Sequence, residues 1–216
     1  MPEDMTSASR WWRDAAIGFC GKIPARGDFV RAGLPLAFAD PWDRWMERML
    51  MASRSALDTE WLPAWLEAPV WRFAVTAGVC GPDAVIGLWM PSVDRVGRYY
   101  PLTIAAMASN ADAPALIRDG GGLLDAAECA GRKVVEQELA PEQLADQLAA
   151  AAASPAAPAT DAALCPPDGG LWWTKGAPRV PARFFTTAGL PDENTFSAML
   201  ISCSTLSSAL FPEEAR

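Results

Sequence analysis

Charged side chains concentrate in two short blocks of the sequence, Gly18 to Phe29 and Pro91 to Leu102, among glycines, prolines and aromatic residues. The charged residues of interest in these blocks are Lys22, Arg26, Asp28, Asp94, Arg95 and Arg98. An arginine guanidinium donates paired hydrogen bonds to a carboxylate or a phosphate, so these arginines could bind an acidic or phosphorylated group on a partner. They could instead pair with Asp28 and Asp94 and hold two loops together. The sequence favours this second role but leaves both open.

A third block, Leu171 to Gly176, adds an aromatic candidate with the sequence LWWTKG. Neighbouring residues of a strand face opposite sides of the sheet, so at most one of Trp172 and Trp173 could be exposed. Tryptophan and arginine dominate the energetic centres of protein interfaces. We therefore add Trp173 and Lys175 to the candidate partner-binding residues, on the assumption that the blocks converge in space.

Catalytic chemistry is restricted because the chain contains no histidine. Histidine is the most common general base, the usual partner of a serine or cysteine nucleophile and a frequent metal ligand. The enzyme hypothesis that remains is a small hydrolase in which Asp28, Asp83 and Asp94 hold a metal ion and Lys22 acts as electrophile. The spacing of these residues matches no recognised metal motif. We therefore predict that the protein is not an enzyme, with no catalytic residue, metal site or cofactor.

Length and composition fit a single folded domain. The chain has 216 residues, of which 51% are hydrophobic, and this is enough for a substantial core. Most of the ten tryptophans are expected in that core, since a buried indole fills a large apolar space. The net charge of −8 and the lack of a basic stripe argue against a nucleic-acid partner.

A secretory signal and a membrane span each require an apolar segment. The first residues, MPEDMTSASRWWRD, are acidic and lack the apolar stretch of a secretory signal. The longest uncharged stretch, Thr195 to Pro212, is interrupted by serine and threonine and predicts an amphipathic helix rather than a membrane span. Five scattered cysteines without a CxxC pair argue against a disulfide framework and a zinc site. These observations predict a cytoplasmic protein without membrane insertion.

Short apolar runs with glycine or proline at their ends predict strands. The first is expected near Ile17 to Lys22. The others are expected at Trp71–Val75, Val85–Met90, Tyr99–Met107, Leu171–Gly176 and Arg183–Thr187. Because the three middle runs are hydrophobic almost throughout, both faces of their sheet should be covered.

Helical spacing of apolar residues predicts the covering layers. One helix is expected to begin with Asp40 as N-cap and Pro41 at its first position. A short second helix is expected to bury Trp61, Leu62, Trp65 and Leu66 on one side. Two further helices are expected to start at about Gly122 and at Pro141. The final helix is expected to follow Pro191, with Cys203 on its buried face. An alanine- and proline-rich surface connection is expected at about residues 150–170.

Helices therefore lie before and after the strands, and the order of elements predicts an α/β fold. We expect a three-layer α/β/α sandwich around a mixed sheet, formed by residues 1–216 as a single domain.

The sequences of these blocks, and their order along the chain, resemble those of a known family. The phrases GFCGKIPARGDFVRAGLP, GVCGP, PSVDRVGRYYPL, LWWTKG and GLPD follow one another as in the TagF family of type VI secretion regulators. The resemblance runs from Gly18 to about Met107 and again from Leu171 to Pro191. Cys20 departs from the pattern, since an aromatic residue is more usual there.

This resemblance implies a three-layer α/β/α fold and a cytoplasmic, post-translational repressor of type VI secretion. It implies protein binding, in some systems to the forkhead-associated scaffold protein of the apparatus, and a link to the threonine kinase and phosphatase that control the machine. The family offers no catalytic residues to transfer. A structural accessory subunit of the apparatus and the small hydrolase described above are the alternatives, and the oligomeric state is left open.

Overall fold

A computed structural model describes residues 11, 14–136, 139–152 and 158–202 of the chain. Trp12, Cys203 and the part of the predicted amphipathic helix that follows Ser202 lie outside these residues. The described strands are β1 Ala16–Gly21, β2 Val30–Ala32, β3 Trp71–Val75, β4 Ala84–Met90, β5 Leu102–Ala108, β6 Gly170–Thr174 and β7 Arg183–Thr187. The described α-helices are α1 Leu36–Leu57, α2 Trp61–Leu66, α3 Ala113–Asp119, α4 Gly121–Val135, α5 Pro141–Ala152 and α6 Glu193–Leu200.

The strands form one seven-stranded sheet in the order β2-β1-β5-β4-β3-β6-β7. The sequence analysis predicts a mixed sheet, but all six pairings between these neighbours are antiparallel. Short loops join β3 to β4 and β4 to β5, whereas a parallel pair needs a crossover of a dozen or more residues. Continuous hydrophobicity alone does not distinguish a buried antiparallel strand from a parallel one.

Helices cover the sheet on both faces, so the predicted three-layer α/β/α architecture is confirmed. One face packs against α3, α4 and α5 through residues that include Leu88 and Ile104. The other packs against α1, α2 and α6 through Phe73 and Trp89, among others. Every residue of β3, β4, β5 and β6 is buried, which explains why these strands are hydrophobic almost throughout.

Tryptophans dominate the layer beneath α1. Trp42 lies with its ring centroid 4.7 Å from that of Phe73, and its indole N–H donates to the hydroxyl of Thr103 at 3.0 Å. The indole N–H of Trp45 donates to the carbonyl oxygen of Pro191 at 2.8 Å. Among the described residues every tryptophan is buried, as the sequence predicts. Trp42 and Trp45 thus fill this layer with large apolar rings whose polar N–H groups are hydrogen-bonded.

Helix α1 begins one turn earlier than predicted. Its N-cap position is Pro35 rather than Asp40, and Pro41 lies inside the helix. A proline there removes the hydrogen bond to the carbonyl four residues earlier. The additional turn buries Phe38, whose ring stacks against Trp42 at 5.4 Å between centroids. Tertiary packing therefore outweighs the local start signal.

The prediction for the short helix α2 is wrong for two of its residues. Trp61 and Trp65 are buried and stack with centroids 5.4 Å apart, but Leu62 and Leu66 are exposed. Residues four apart share a helix face, whereas direct neighbours are turned away from each other by about 100°. Once the tryptophans occupy the buried face, the leucines must point towards solvent.

The three blocks of the sequence lie at the same end of the sheet. Strand β1 ends at Gly21, opposite Leu102 of β5, and β4 ends at Met90, opposite the same residue. Strand β6 ends at Thr174 beside the start of β3. We call this end of the sheet, marked by Gly21, Met90 and Thr174, the charged end.

Candidate functional site

The buried carboxylate of Asp94 organises the loops at the charged end. Its Oδ1 accepts hydrogen bonds from the backbone N–H groups of Val96 at 3.0 Å and Arg98 at 2.9 Å. Its Oδ2 accepts from Nζ of Lys22 at 2.9 Å and from Nε of Arg98 at 2.7 Å. The Asp94 side chain has no solvent-exposed surface. Four donors therefore occupy the positions at which this carboxylate can accept hydrogen bonds.

These contacts decide the protonation state of Asp94. Burial alone would raise the pKa of its carboxyl, but hydrogen bonds from the Arg98 backbone, the Lys22 ammonium and the Arg98 guanidinium hold that pKa well below its usual range. The carboxylate stays ionised throughout the physiological range. It is suited to holding positive groups in place and unsuited to donating a proton.

Further bonds join the two loops that follow β1 and β4. The backbone N–H of Arg95 donates to the carbonyl oxygen of Arg26 at 2.9 Å, and Nη2 of Arg98 donates to the carbonyl oxygen of Gly27. We call Asp94, Lys22, Arg98 and the Arg26–Gly27 backbone the Asp94 cluster. It performs the loop-closing role that the sequence favours, with Lys22 as an unpredicted partner.

The other charged residues of the first loop do not join this cluster through their side chains. Nη2 of Arg26 pairs instead with the carboxylate of Glu142 on α5. Asp28 is exposed, and among the described residues it forms no ion pair, so its predicted pairing with an arginine is wrong. Lys22, Arg26 and Asp28 nevertheless lie in one loop, next to Asp94.

Two guanidiniums of the second loop remain accessible. The Arg98 side chain is 57% exposed despite its bond to Asp94. Arg95 is exposed and has no ion-pair partner within the part of the chain that the structure describes. The fold thus holds their backbone rigidly and presents their charge to solvent.

Trp173 and Lys175 do not complete this patch. Strand β6 lies four positions from β1 in the sheet, which corresponds to about 19 Å at about 4.8 Å between neighbouring strands. Trp173 is buried in the core beneath α3 and α4. Lys175 is exposed and pairs with Asp125 of α4, with Nζ and Oδ1 3.3 Å apart. The assumption that Trp173 converges with Arg95 and Arg98 on one surface is wrong.

A second group of ion pairs surrounds Lys175, and the sequence analysis does not predict it. Arg72 of β3, with a side chain only 5% exposed, donates from Nη2 to Asp125 at 2.6 Å and to Glu128 at 2.7 Å. Hydrogen bonding from Arg72 is the main cause of a lowered pKa at Asp125. The sequence signal is an arginine inside an otherwise apolar strand, WRFAV, because such a residue must find acidic partners. This group attaches α4 to the sheet.

A surface cleft lies beside the Asp94 cluster, between the end of α1, the start of α2 and the turn after β4. It has a volume of about 670 Å³. Its walls carry Arg54, Trp61, Leu62, Gly97, Arg98 and Tyr99, and we call it the Trp61 cleft. Asp58 also lines it. No local sequence pattern predicts this cleft, since its two walls come from segments about 40 residues apart.

The described residues offer neither a cluster of metal ligands nor a membrane-spanning helix. They contain no group of three or more cysteine, aspartate or glutamate side chains placed to hold a metal ion. No helix among them is long and apolar enough to cross a membrane.

Comparisons with known proteins agree with the blocks seen in the sequence. A family model described as the TagF N-terminal domain, type VI secretion system-associated, matches residues 18–151. The crystal structure of PA0076 from Pseudomonas aeruginosa PAO1 superimposes with a TM-score of 0.76 at 35% sequence identity, covering 86% of this chain and 94% of that one. No curated protein sequence matches at a significant level. The resemblance stated above is confirmed, and the chain belongs to the TagF family.

Proposed function

We propose that this protein is a post-translational repressor of type VI secretion that acts by binding another protein in the cytoplasm. Its place in a type VI secretion system-associated family supports the link to this machine. The Asp94 cluster is the observation that carries the binding role. A fully buried carboxylate orders a turn whose Arg95 and Arg98 side chains remain exposed.

Such an arrangement lowers the entropic cost of capturing an acidic group. Side chains held on a rigid turn lose less freedom on binding than side chains on a mobile loop. Arginine also forms forked hydrogen bonds with carboxylates and phosphates, which favours a defined orientation of the partner. Lys22 contributes by neutralising Asp94, so that the charge of Arg98 is not cancelled.

The proposed partner is the forkhead-associated scaffold protein of the apparatus, with a functional link to the threonine kinase and phosphatase that act on the same machine. The family resemblance motivates this choice. The residues proposed to contact the partner on the charged end are Lys22, Arg26, Asp28, Arg95 and Arg98, and the buried Asp94 contributes by holding their loops in place. Trp173 is buried in the core, and Lys175 belongs to the separate ion-pair group around Arg72.

We further propose that the protein acts without catalysis. Each position at which Asp94 can accept a hydrogen bond is occupied, which leaves this carboxylate no free site for a metal ion or a substrate. Burial raises the pKa of the Cys80 thiol to about 12 and raises the pKa of Cys20 as well. Neither thiol is therefore suited to nucleophilic attack at neutral pH.

Secretion itself provides the test. The amount of secreted tube protein is measured in medium from cells that lack the protein, carry it normally or overproduce it. We expect more secretion after deletion and less after overproduction. An Arg95→Glu variant should lose repression while keeping its melting temperature, because Arg95 forms no ion pair among the described residues. Arg44→Glu, an equally exposed arginine on α1, is the matched control.

The same measurement separates the alternatives. Secretion lost on deletion would contradict the repressor and indicate an accessory subunit that the apparatus needs. Unchanged secretion in every strain would contradict both roles and favour the hydrolase hypothesis. Arg98 is less suitable for substitution than Arg95, since its loss would also disturb the Asp94 cluster.

A further inference from the structure

The Trp61 cleft has an aromatic wall that is fixed before any ligand arrives. The ring of Trp61 stacks on Trp65 with centroids 5.4 Å apart and meets Tyr99 edge-on at 5.9 Å. Its indole N–H donates to the hydroxyl of Ser53 at 3.0 Å. The guanidinium carbon of Arg54 lies over the same ring, 4.3 Å from its centroid. These contacts leave Trp61 only 5% exposed, so its ring supports the wall from behind, and Leu62 and Tyr99 provide the accessible apolar surface.

Exposed apolar side chains extend this wall. Leu62 lines the cleft and is 39% exposed, and Leu66, one turn further along α2, is 63% exposed. Val96 is 65% exposed and lies next to Gly97 on the opposite wall. Single exposed apolar residues need no explanation, but a group of them around one cleft indicates a contact surface.

The charge of the cleft is opposite to that of the whole chain. Arg54 and Arg98 stand on its two walls, and Asp58 is the acidic residue lining it. Within the described residues, Arg54 has no carboxylate within ion-pair distance. Asp94 is shared between Lys22 and Arg98, so this trio keeps one positive charge. A positive site on a chain of net charge −8 is complementary to an acidic partner.

The link between α1 and α2 gives the cleft its shape. Asp58 has φ 44° and ψ −118°, a backbone conformation that favours glycine, and its N–H donates to the carbonyl oxygen of Arg54. The chain turns sharply there, which brings Arg54 at the end of α1 against Trp61 at the start of α2. Unusual backbone geometry at a non-glycine residue is often found at binding sites.

We infer that the Trp61 cleft docks a segment of the partner protein rich in aspartate and glutamate, with one apolar side chain packed against Tyr99 and Leu62. Carboxylates on either side of that anchor face Arg54 and Arg98. This inference rests on the proposed function as a binding protein and specifies the chemistry of the partner. Two arginines on separate walls suit carboxylates spaced along a peptide.

The test uses a displayed library of random 12-residue peptides as the probe and the full chain as the target. Enriched peptides are synthesised, and their dissociation constants are measured by fluorescence anisotropy. We expect enrichment of peptides that combine several acidic residues with one aromatic or aliphatic residue. Arg54→Glu should weaken binding at least tenfold, and Arg44→Glu, on the solvent side of the same helix, should change it less than twofold.

A second variant excludes misfolding as the cause of lost binding. Asp58→Asn removes the acidic charge from the cleft and should tighten binding about threefold, a gain that a damaged fold cannot produce. Enrichment of basic peptides, failure to enrich any sequence, or equal binding by the Arg54→Glu and Arg44→Glu proteins would each overturn the inference. Because peptide binding is measured without secretion, failure here leaves the deletion test of the repressor intact, and the reverse also holds.

Discussion

Nε of Arg98 lies 2.7 Å from Oδ2 of Asp94, yet the arginine side chain remains 57% exposed while the aspartate is fully buried. One residue of this pair therefore belongs to the interior and the other to the surface. The pair connects the packing of the charged end with the Trp61 cleft, which Arg98 also lines. Substitutions at Asp94 should consequently affect both stability and binding.

Replacing Asp94 by asparagine should lower the stability of the fold. The amide would place its own N–H donors against the donors of Lys22 and Arg98, so buried groups would lose their hydrogen bonds. We expect a lower urea midpoint for Asp94→Asn. Asp28→Asn, at an exposed residue of the neighbouring loop, should leave the midpoint unchanged.

The stability lost in Asp94→Asn should depend on pH. The pKa of Asp94 is lowered in the folded protein, so its ionisation stabilises the fold above the ordinary aspartate pKa of about 4 and this contribution is lost as pH falls towards the lower folded value. The difference in unfolding free energy between the natural protein and Asp94→Asn should therefore be constant from pH 7 to about pH 5 and shrink below about pH 4. A difference that grows on acidification would contradict this assignment.

Asp43 should behave in the opposite way. Burial raises the pKa of its carboxyl, so ionisation at neutral pH opposes folding. Asp43→Asn keeps an oxygen that can accept from the hydroxyl of Tyr100, now 3.0 Å from Asp43. We expect a gain of about 0.5 kcal/mol at pH 7, a small value because the site is only half-buried. Guanidinium unfolding should show that the gain disappears at acidic pH, where Asp43 itself is protonated, and Asp40→Asn on the exposed face should show neither effect.

Loss of Arg72 should destabilise the attachment of α4. Arg72→Ala leaves Glu128 with only its more exposed partner Arg132. We expect a cost of about 3 kcal/mol, the low end for a broken buried ion pair, since Asp125 is well exposed and Glu128 keeps this second pair. Lys175→Ala removes an exposed pair with the same Asp125 and should cost about 0.5 kcal/mol or less. Equal costs for the two variants, measured by thermal unfolding, would contradict the buried role of Arg72.

Glycine should be preferred to aspartate at position 58. Asp58→Gly relieves the positive φ of 44° and is expected to raise stability by about 1 kcal/mol. Ser55→Gly, three residues earlier in the regular part of α1, should instead lower stability by about 0.5 kcal/mol. Denaturant midpoints of the two variants should move in opposite directions, and a loss of stability in both would show that position 58 carries no strain.

Much of the fold could be predicted because local pattern and tertiary packing agree. The strands at Trp71–Val75 and Arg183–Thr187 have the predicted bounds, since apolar or aromatic runs end there at glycine or proline. The start of α1 could not be predicted, because burial of Phe38 outweighs the helix-start signal at Asp40 and Pro41. Helix α3 was missed, as it is short and depends on capping by Asp112.

The candidate site was predictable only in part. The sequence indicates that Asp94 and Arg98 matter, because a charged turn with glycine between two strands is unusual. It does not indicate that Lys22 completes the cluster, since that contact joins residues 72 positions apart. Contacts between distant segments also create the Trp61 cleft, and they leave Trp173 buried. Side-chain types suggest what a surface can bind, whereas the pairing of strands decides which side chains come together on that surface.

The order of the strands has a consequence for synthesis of the chain. Strands β3, β4 and β5 follow one another in the sequence and occupy the centre of the sheet. Strand β1 precedes them and pairs with β2, which follows it directly, but its other neighbour is β5, so Ala16 must wait for Met107 to leave the ribosome. Strand β6 joins later, and β7 adds the last edge. The sheet can thus grow from its middle outwards during translation, and β1, although it is synthesised first, has to wait for β5.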